Sequence, residues 1–259
     1  MVYGKQAARL GAAMMLLTGL VFAGVSPLSA EEPSQPPQKK IAVVIDDLGN
    51  DMMGTKEIME LPVPFTVAVM PFLPTTKRDA EWAHKLGHDV LIHMPMEPVK
   101  GKKSWLGPGA ITTDLSDDEI RKRVLAAIEE VPFAIGMNNH MGSKVTADKR
   151  VMRIVLEVCK EKNLIYLDSK TSHKSVVKAM AQELGVRTLE NNLFMDDIYT
   201  REHIVKQALK LQKQVDANEA TVVIGHVGPP GKHTAAVLKQ SVPTLQKKGQ
   251  FVTISKLAP

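Results

Sequence analysis

Five short apolar runs in this chain each lead directly into residues that can hold a metal ion or move a proton. Ile41 to Ile45 leads into Asp46-Asp47-Leu48-Gly49, and the run from Asp89 ends in His93-Met94-Pro95-Met96-Glu97. Ala134 to Met137 is followed by Asn138-Asn139-His140-Met141-Gly142-Ser143, Leu164 to Leu167 by Asp168-Ser169, and Ala220 to Ile224 by Gly225-His226. Imidazoles and carboxylates on separate strand ends are what a divalent ion such as Zn²⁺ takes from protein, with one position open to water. Asp47, His93 and either His140 or Glu97 supply three such ligands. An ion so held polarises a carbonyl and lowers the pKa of water, the two requirements of amide or ester hydrolysis. Asp46 can then take the proton of the attacking water, and His226 can give one to the leaving group. A single histidine after a strand is usually structural; several such groups meeting at one face argue for a site. Adjacent aspartates in an extended chain point to opposite faces, so Asp46 and Asp47 are expected to face the water and the metal respectively. A plain turn is the structural alternative for them.

These groups need a scaffold that gathers strand ends. Strands are expected at Ile41 to Ile45, Phe65 to Met70, Asp89 to His93, Ala134 to Met137, Leu164 to Leu167, Val186 to Leu189, Ala220 to Ile224 and Phe251 to Ile254. Helical patterns lie between them, at Thr55 to Leu61, Thr75 to Leu86, Asp117 to Glu130, Lys149 to Lys162, Ser172 to Leu184, Arg201 to Ala217 and Thr234 to Lys248. Such alternation builds a mostly parallel sheet wrapped by helices, whose loops at the carboxyl ends of the strands converge on one crevice. Ser116 with Glu119 three residues on is a capping-box pattern, and Gly185 and Gly249 stand where helix C-terminal glycines belong. About seven βα units in this length make a distorted (β/α) barrel; an open doubly wound sheet is the competing architecture.

Lys5 and Arg9, an almost uncharged run from Leu10 to Val25 and the small residue Ala30 before Glu31-Glu32 form a secretory signal pattern over residues 1–30. Residues 31–40, with Pro33, Pro36 and Pro37, read as a flexible linker, and 41–259 as one domain. The chain is therefore expected outside the cytoplasm, secreted or in the wall or periplasm, with no integral span after signal cleavage. A single cysteine, Cys159, cannot form an internal disulfide, and its place on the stripe of Val155 and Leu156 marks it as a packing residue. The formal charge of +5 falls to +3 once Lys5 and Arg9 leave, too little to argue for a polyanionic partner. No phosphate-binding loop accompanies Gly228-Pro229-Pro230-Gly231, so nucleic acid is not expected as a partner.

Taken together, these segments resemble the divergent branch of the polysaccharide deacetylase family over nearly the whole stretch from Ile41 onward. Ile45-Asp46-Asp47-Leu48-Gly49 is similar to the family's first motif, Gly87 to His93 to the lead-in of its second, Asn138 to Gly142 stands at its third, and Val222 to His226 resembles its last. Asn138-Asn139-His140-Met141-Gly142-Ser143, with Phe194-Met195-Asp196-Asp197 and Gly225-His226, is the combination associated with the divergent branch. The resemblance implies Asp46 as general base, Asp47 and His93 as metal ligands, His226 as the catalytic histidine and Asp168 as the aspartate that tunes it. Glu97 stands where that family has a second metal histidine, and Asn138 where it has an arginine beside the base. The implied activity is removal of acetyl groups from a polysaccharide with a divalent metal, zinc first among candidates, and the implied partner is an acetylated glycan. Asn138, Asn139, Asp196 and the loop residue Trp105 are the expected substrate contacts, while Trp82, beside Ala83 and Leu86, reads as packing. A descendant of the same fold that binds glycan without hydrolysing it is the alternative.

Overall fold

Strands apolar on both faces belong in a parallel sheet covered on both sides, and the computed structural model, which describes residues 39–258, shows that sheet. Its strands are β1 (Lys40–Leu48), β2 (Thr66–Val69), β3 (Asp89–Met96), β4 (Ala134–Met141), β5 (Ile165–Asp168), β6 (Thr188–Glu190), β7 (Leu193–Phe194), β8 (Ala220–His226) and β9 (Gln250–Val252). The helices are α1 (Thr55–Met59), α2 (Thr76–Lys85), α3 (Asp117–Glu130), α4 (Lys149–Glu161), α5 (Val177–Leu184), α6 (Arg201–Ala217) and α7 (Gly231–Gln246). All pairings are parallel, in the order β6-β5-β4-β3-β2-β1-β8-β7, with β9 against the start of β1. The result is a curled half-barrel of βα units, as the alternation predicts. The expected signal and nearly all of the linker lie outside the described residues, and no described helix is long and apolar enough to cross a membrane.

Alternation along the strands sorts side chains into two layers. Ala42, Val44, Ala68, Leu91, Ile165, Leu167, Val222 and Ile224 form an inner cluster, plugged at one end by Val252, Ile254 and Ala258. Val43, Ile45, Val67, Ile92, Met94, Met137 and Tyr166 face the other way and pack with the helices. The plug is tied to the amino ends of two strands, where Ile254 N donates to Thr66 Oγ1 and Ser255 N to Asp89 Oδ2. The opposite, carboxyl end stays open.

Two helices match their expected bounds because caps and apolar stripes agree. Ser116 Oγ accepts from Glu119 N at the start of α3, and Thr200 Oγ1 accepts from His203 N at the start of α6. The Glu119 carboxylate itself turns to Arg123. Gly185 ends α5 at φ 70°, as a left-handed cap should. Gly249 serves a different purpose: a Cβ there would meet the Lys39 carbonyl oxygen at 2.7 Å, so bareness rather than handedness is required. The expected helix from Ser172 begins only at Val177, because Ser175 Oγ is drawn to the Asp168 carboxylate at 2.6 Å. Cys159 is buried in the layer of helices, and burial pushes its thiol up to about 12, which leaves no thiolate for chemistry.

Candidate metal and acid-base site

The strand parity of the inner layer decides which polar residues meet at the open end. On β1, Ala42 and Val44 face inward, and Asp46 follows them; on β3, His93 follows Leu91; on β8, His226 follows Val222 and Ile224. Asn138 lies level with His93 in the β3–β4 register, and His140 comes two residues later. Asp47 breaks the rule. In an extended strand it would face the helices with Val43 and Ile45. It instead adopts φ 69° at a register shift between Ile45 and Leu48, which turns its carboxylate to the same crevice as Asp46. A non-glycine residue in this conformation costs about 1–2 kcal/mol, aspartate being among the side chains that tolerate it. The expectation that the two aspartates diverge is thereby corrected: both approach His93, Asp47 Oδ1 at 3.2 Å from Nε2 and Asp46 Oδ2 at 3.7 Å from Nδ1.

Asp47, His93 and His140 form one cluster. His140 Nδ1 is 3.0 Å from Asp47 Oδ1 and 3.2 Å from His93 Nε2. The outer nitrogens of both rings are committed elsewhere: His140 Nε2 donates to the Trp105 carbonyl oxygen at 3.1 Å, and His93 Nδ1 lies 2.7 Å from Asn138 Oδ1. With those protons spent, the three atoms that face one another are all acceptors, and Asp47 Oδ1 is buried without a hydrogen-bond partner. Three converging lone pairs call for positive charge between them. With ligand bonds of ~2.0–2.1 Å, the edges of a four- or six-coordinate site are roughly 2.8–3.4 Å, so the observed separations suit a small divalent cation without rearrangement. Burial opposes charge on His93, yet Asp46 and Asp47 shift it up overall; burial likewise disfavours charged Asp47, yet His140 and His93 hold it well below the usual carboxylate range.

Glu97 does not join this cluster. It lies just past β3, where its carboxylate accepts from Thr113 N and Oγ1 at 2.9 and 3.0 Å and from Lys144 Nζ at 2.8 Å. Its carbonyl oxygen also accepts from Lys144 N and Val145 N. It fastens the base of the loop that carries Trp105, and His140, not Glu97, is the third member of the cluster with Asp47 and His93. Glu97→Gln is expected to leave cation affinity within about twofold, since it touches neither ligand nor ligand partner. It should lower the melting temperature by roughly 2–4 °C through the loss of about 1 kcal/mol of charge-assisted bonding; calorimetry with and without zinc checks both.

The expected tuning of His226 by Asp168 is corrected as well. Asp168 shares the parity of Tyr166 and faces the helices, bonded to Ser175 Oγ and Lys170 N. Asp196, expected as a substrate contact, is the actual partner. It is fully buried, accepts from His226 Nδ1 at 2.7 Å and His226 N at 2.8 Å, and takes a third bond from Thr234 Oγ1 at 2.6 Å. Gly225 makes room for this arrangement, since a Cβ there would meet Thr234 Cγ2 at 2.8 Å. Burial works against a charged His226, but the bond to Asp196 and its charge, with Asp47 and Asp46 behind it, push the ring up to about 10. Asp46 moves the other way from Asp47: burial raises it, and His93, His226 and the Asn138 amide only partly offset that.

The crevice has a volume of about 450 Å³, and its floor includes Asp46, Asp47, His93, His140 and His226. Trp105, 58% exposed, stands at its edge, with the Lys102 ammonium 5.7 Å from the ring. Asn139 lines it too, but its amide is spent on Met141 O and Ser169 N. Asn138 is fully buried, with its amide turned to Asp46 and His93, and offers nothing to a substrate. Tyr199 and Phe194 add an aromatic wall that sequence reasoning missed, Phe194 stacking on His226. Their signal was adjacency to Asp196-Asp197 after a two-residue strand too short to show periodicity.

Comparisons with known proteins bear on the fold and the family. An uncharacterised protein of Haemophilus influenzae is 36% identical over 220 residues, spanning 85% of this chain and 77% of its own. Among solved structures, an uncharacterised protein of Agrobacterium tumefaciens superposes with a TM-score of 0.78 at 18% identity, covering 88% of this chain and 93% of that one. A CE4 family pseudoenzyme of Bacillus anthracis shares the fold more loosely, with a TM-score of 0.50 at 14% identity over 86% of this chain and 66% of its own. The family model described as divergent polysaccharide deacetylase matches residues 43–258. With the inward-facing aspartates and histidines falling inside that span, the chain belongs to the divergent polysaccharide deacetylase family.

Proposed function

We propose that this protein is an exported, metal-dependent hydrolase that removes acetyl groups from a cell-wall or extracellular polysaccharide. The observation that carries the reading is the meeting of Asp47 Oδ1, His93 Nε2 and His140 Nδ1 within 3.2 Å of one another, beside Asp46 and His226 in one crevice. A divalent cation held by those three residues, zinc being favoured by two imidazoles, would supply Lewis-acid polarisation of the acyl carbonyl and an acidified water. The remaining steps fall to the chain. Asp46, its Oδ1 held by Asn138 Nδ2 at 2.9 Å, accepts the proton of the attacking water. His226 keeps Nδ1–H on Asp196, and Nε2, which has no protein partner among the described residues, delivers a proton to the departing sugar atom.

Trp105 and Tyr199 suit the apolar faces of sugar rings. The residues lining the crevice include four aspartates and no lysine or arginine, which favours a neutral glycan over one carrying phosphate or uronic acid. Export rests on Lys5, Arg9, the apolar run to Val25 and Ala30. The test is acetate release from N- and O-acetylated oligosaccharides by zinc-loaded protein. Release that stops on chelation and returns with zinc supports the reading. Zinc bound without any release, together with measurable sugar binding, replaces it with a glycan-binding role.

A further inference from the structure

We infer that Asn138 is a positioning residue whose single amide both selects the metal-binding tautomer of His93 and holds Asp46, so that ligand and base are set together. The inference rests on the reading of Asp47, His93 and His140 as a cation site.

The argument is one of forced polarity. Asn138 projects inward from β4, is 0% exposed, and its side chain bonds those of Asp46 and His93, themselves 1% exposed, so solvent does not compete. An amide nitrogen only donates and an amide oxygen only accepts. Asp46 as a carboxylate only accepts, so Nδ2 must face it, as it does at 2.9 Å. Oδ1 therefore faces His93, 2.7 Å from Nδ1, and can only accept there. His93 must then carry its proton on Nδ1, which leaves the Nε2 lone pair aimed at Asp47 Oδ1 and His140 Nδ1. A ligand histidine whose other nitrogen is held in this way keeps both its ring orientation and its basicity. The contact to Asp46 spans the inner layer from β4 to β1, strands separated in the sheet by β3 and β2. One side chain thus braces the mouth of the half-barrel while it orders the two groups.

Two substitutions separate this from mere packing. Asn138→Ala removes acceptor and donor together; zinc affinity measured by titration calorimetry should fall about 10- to 100-fold, and acetate release should fall with it. Asn138→Asp keeps an acceptor for His93 but sets an oxygen against Asp46 Oδ1. Zinc affinity should then stay within about threefold, while turnover with zinc saturating falls about 100-fold or more. Circular dichroism of the zinc-free proteins checks the fold, and Asn138→Leu, similar in volume without polar atoms, stands in for alanine if that variant does not fold. Equal zinc affinities in wild type and Asn138→Ala overturn the inference, as do equal losses in Asn138→Ala and Asn138→Asp. A folded wild type that binds no divalent cation overturns instead the reading of the site on which it rests.

Discussion

Asp47→Asn should weaken zinc binding by about 100-fold or more and remove acetate release at ordinary zinc concentrations, while the protein still folds. In the proposed cation site Asp47 is the one anionic ligand, and its Oδ1 is the atom that both imidazole nitrogens approach. Replacing that oxygen's charge leaves two neutral nitrogens, a poor site for a divalent ion. Asparagine is the informative substitution because φ is 69° at this position, and asparagine tolerates the left-handed region that alanine does not. Loss of affinity then reports the lost charge and not a collapsed bulge. Thermal unfolding gives a second measure: zinc at about 100 times its Kd should stabilise wild type by about 2.7 kcal/mol, raising its melting temperature by roughly 5–10 °C. The variant should show almost none of that rise. An unchanged zinc affinity in Asp47→Asn would remove this residue from the site.

Asp196→Asn should lower turnover about 100- to 10,000-fold with zinc affinity preserved. The carboxylate is fully buried and touches none of the three ligands; its bonds go to His226 and Thr234. The direction of the pH effect follows from the same contacts. His226 acts protonated, and with its pKa raised to about 10 the acid form persists to high pH and is lost as pH rises through that value. Removing the charge of Asp196, the main influence that outweighs burial, lowers that pKa, so the alkaline limb of activity should move to lower pH. Asp168→Asn is the control, since Asp168 bonds Ser175 and Lys170 and makes no contact with His226. An alkaline limb that moves with Asp168 and stays put with Asp196 would reverse this assignment.

The amino-acid sequence by itself determined the strands and helices closely, and with them the strand ends at which Asp46, His93, His140 and His226 stand. Local chemistry sufficed there: apolar runs, a serine or threonine cap, an amphipathic stripe. Three matters were settled only by the tertiary structure. Glu97 and His140 were equivalent as letters, and the choice between them depended on Lys144 and Thr113 claiming the Glu97 carboxylate. Asp168 and Asp196 were likewise two aspartates near strand ends, one turned to the helices and one to the crevice. A strand buried on both faces carries no pattern that says which face is inside. Asp47 faces His93 and His140 through a backbone bulge that alternation would have denied it. Each of these outcomes turns on contacts between residues far apart in the chain, as with Asn138 and Asp46, 92 positions distant. Periodicity reports only neighbours within a few residues, whereas the curl of the sheet brings distant strand ends within bonding reach.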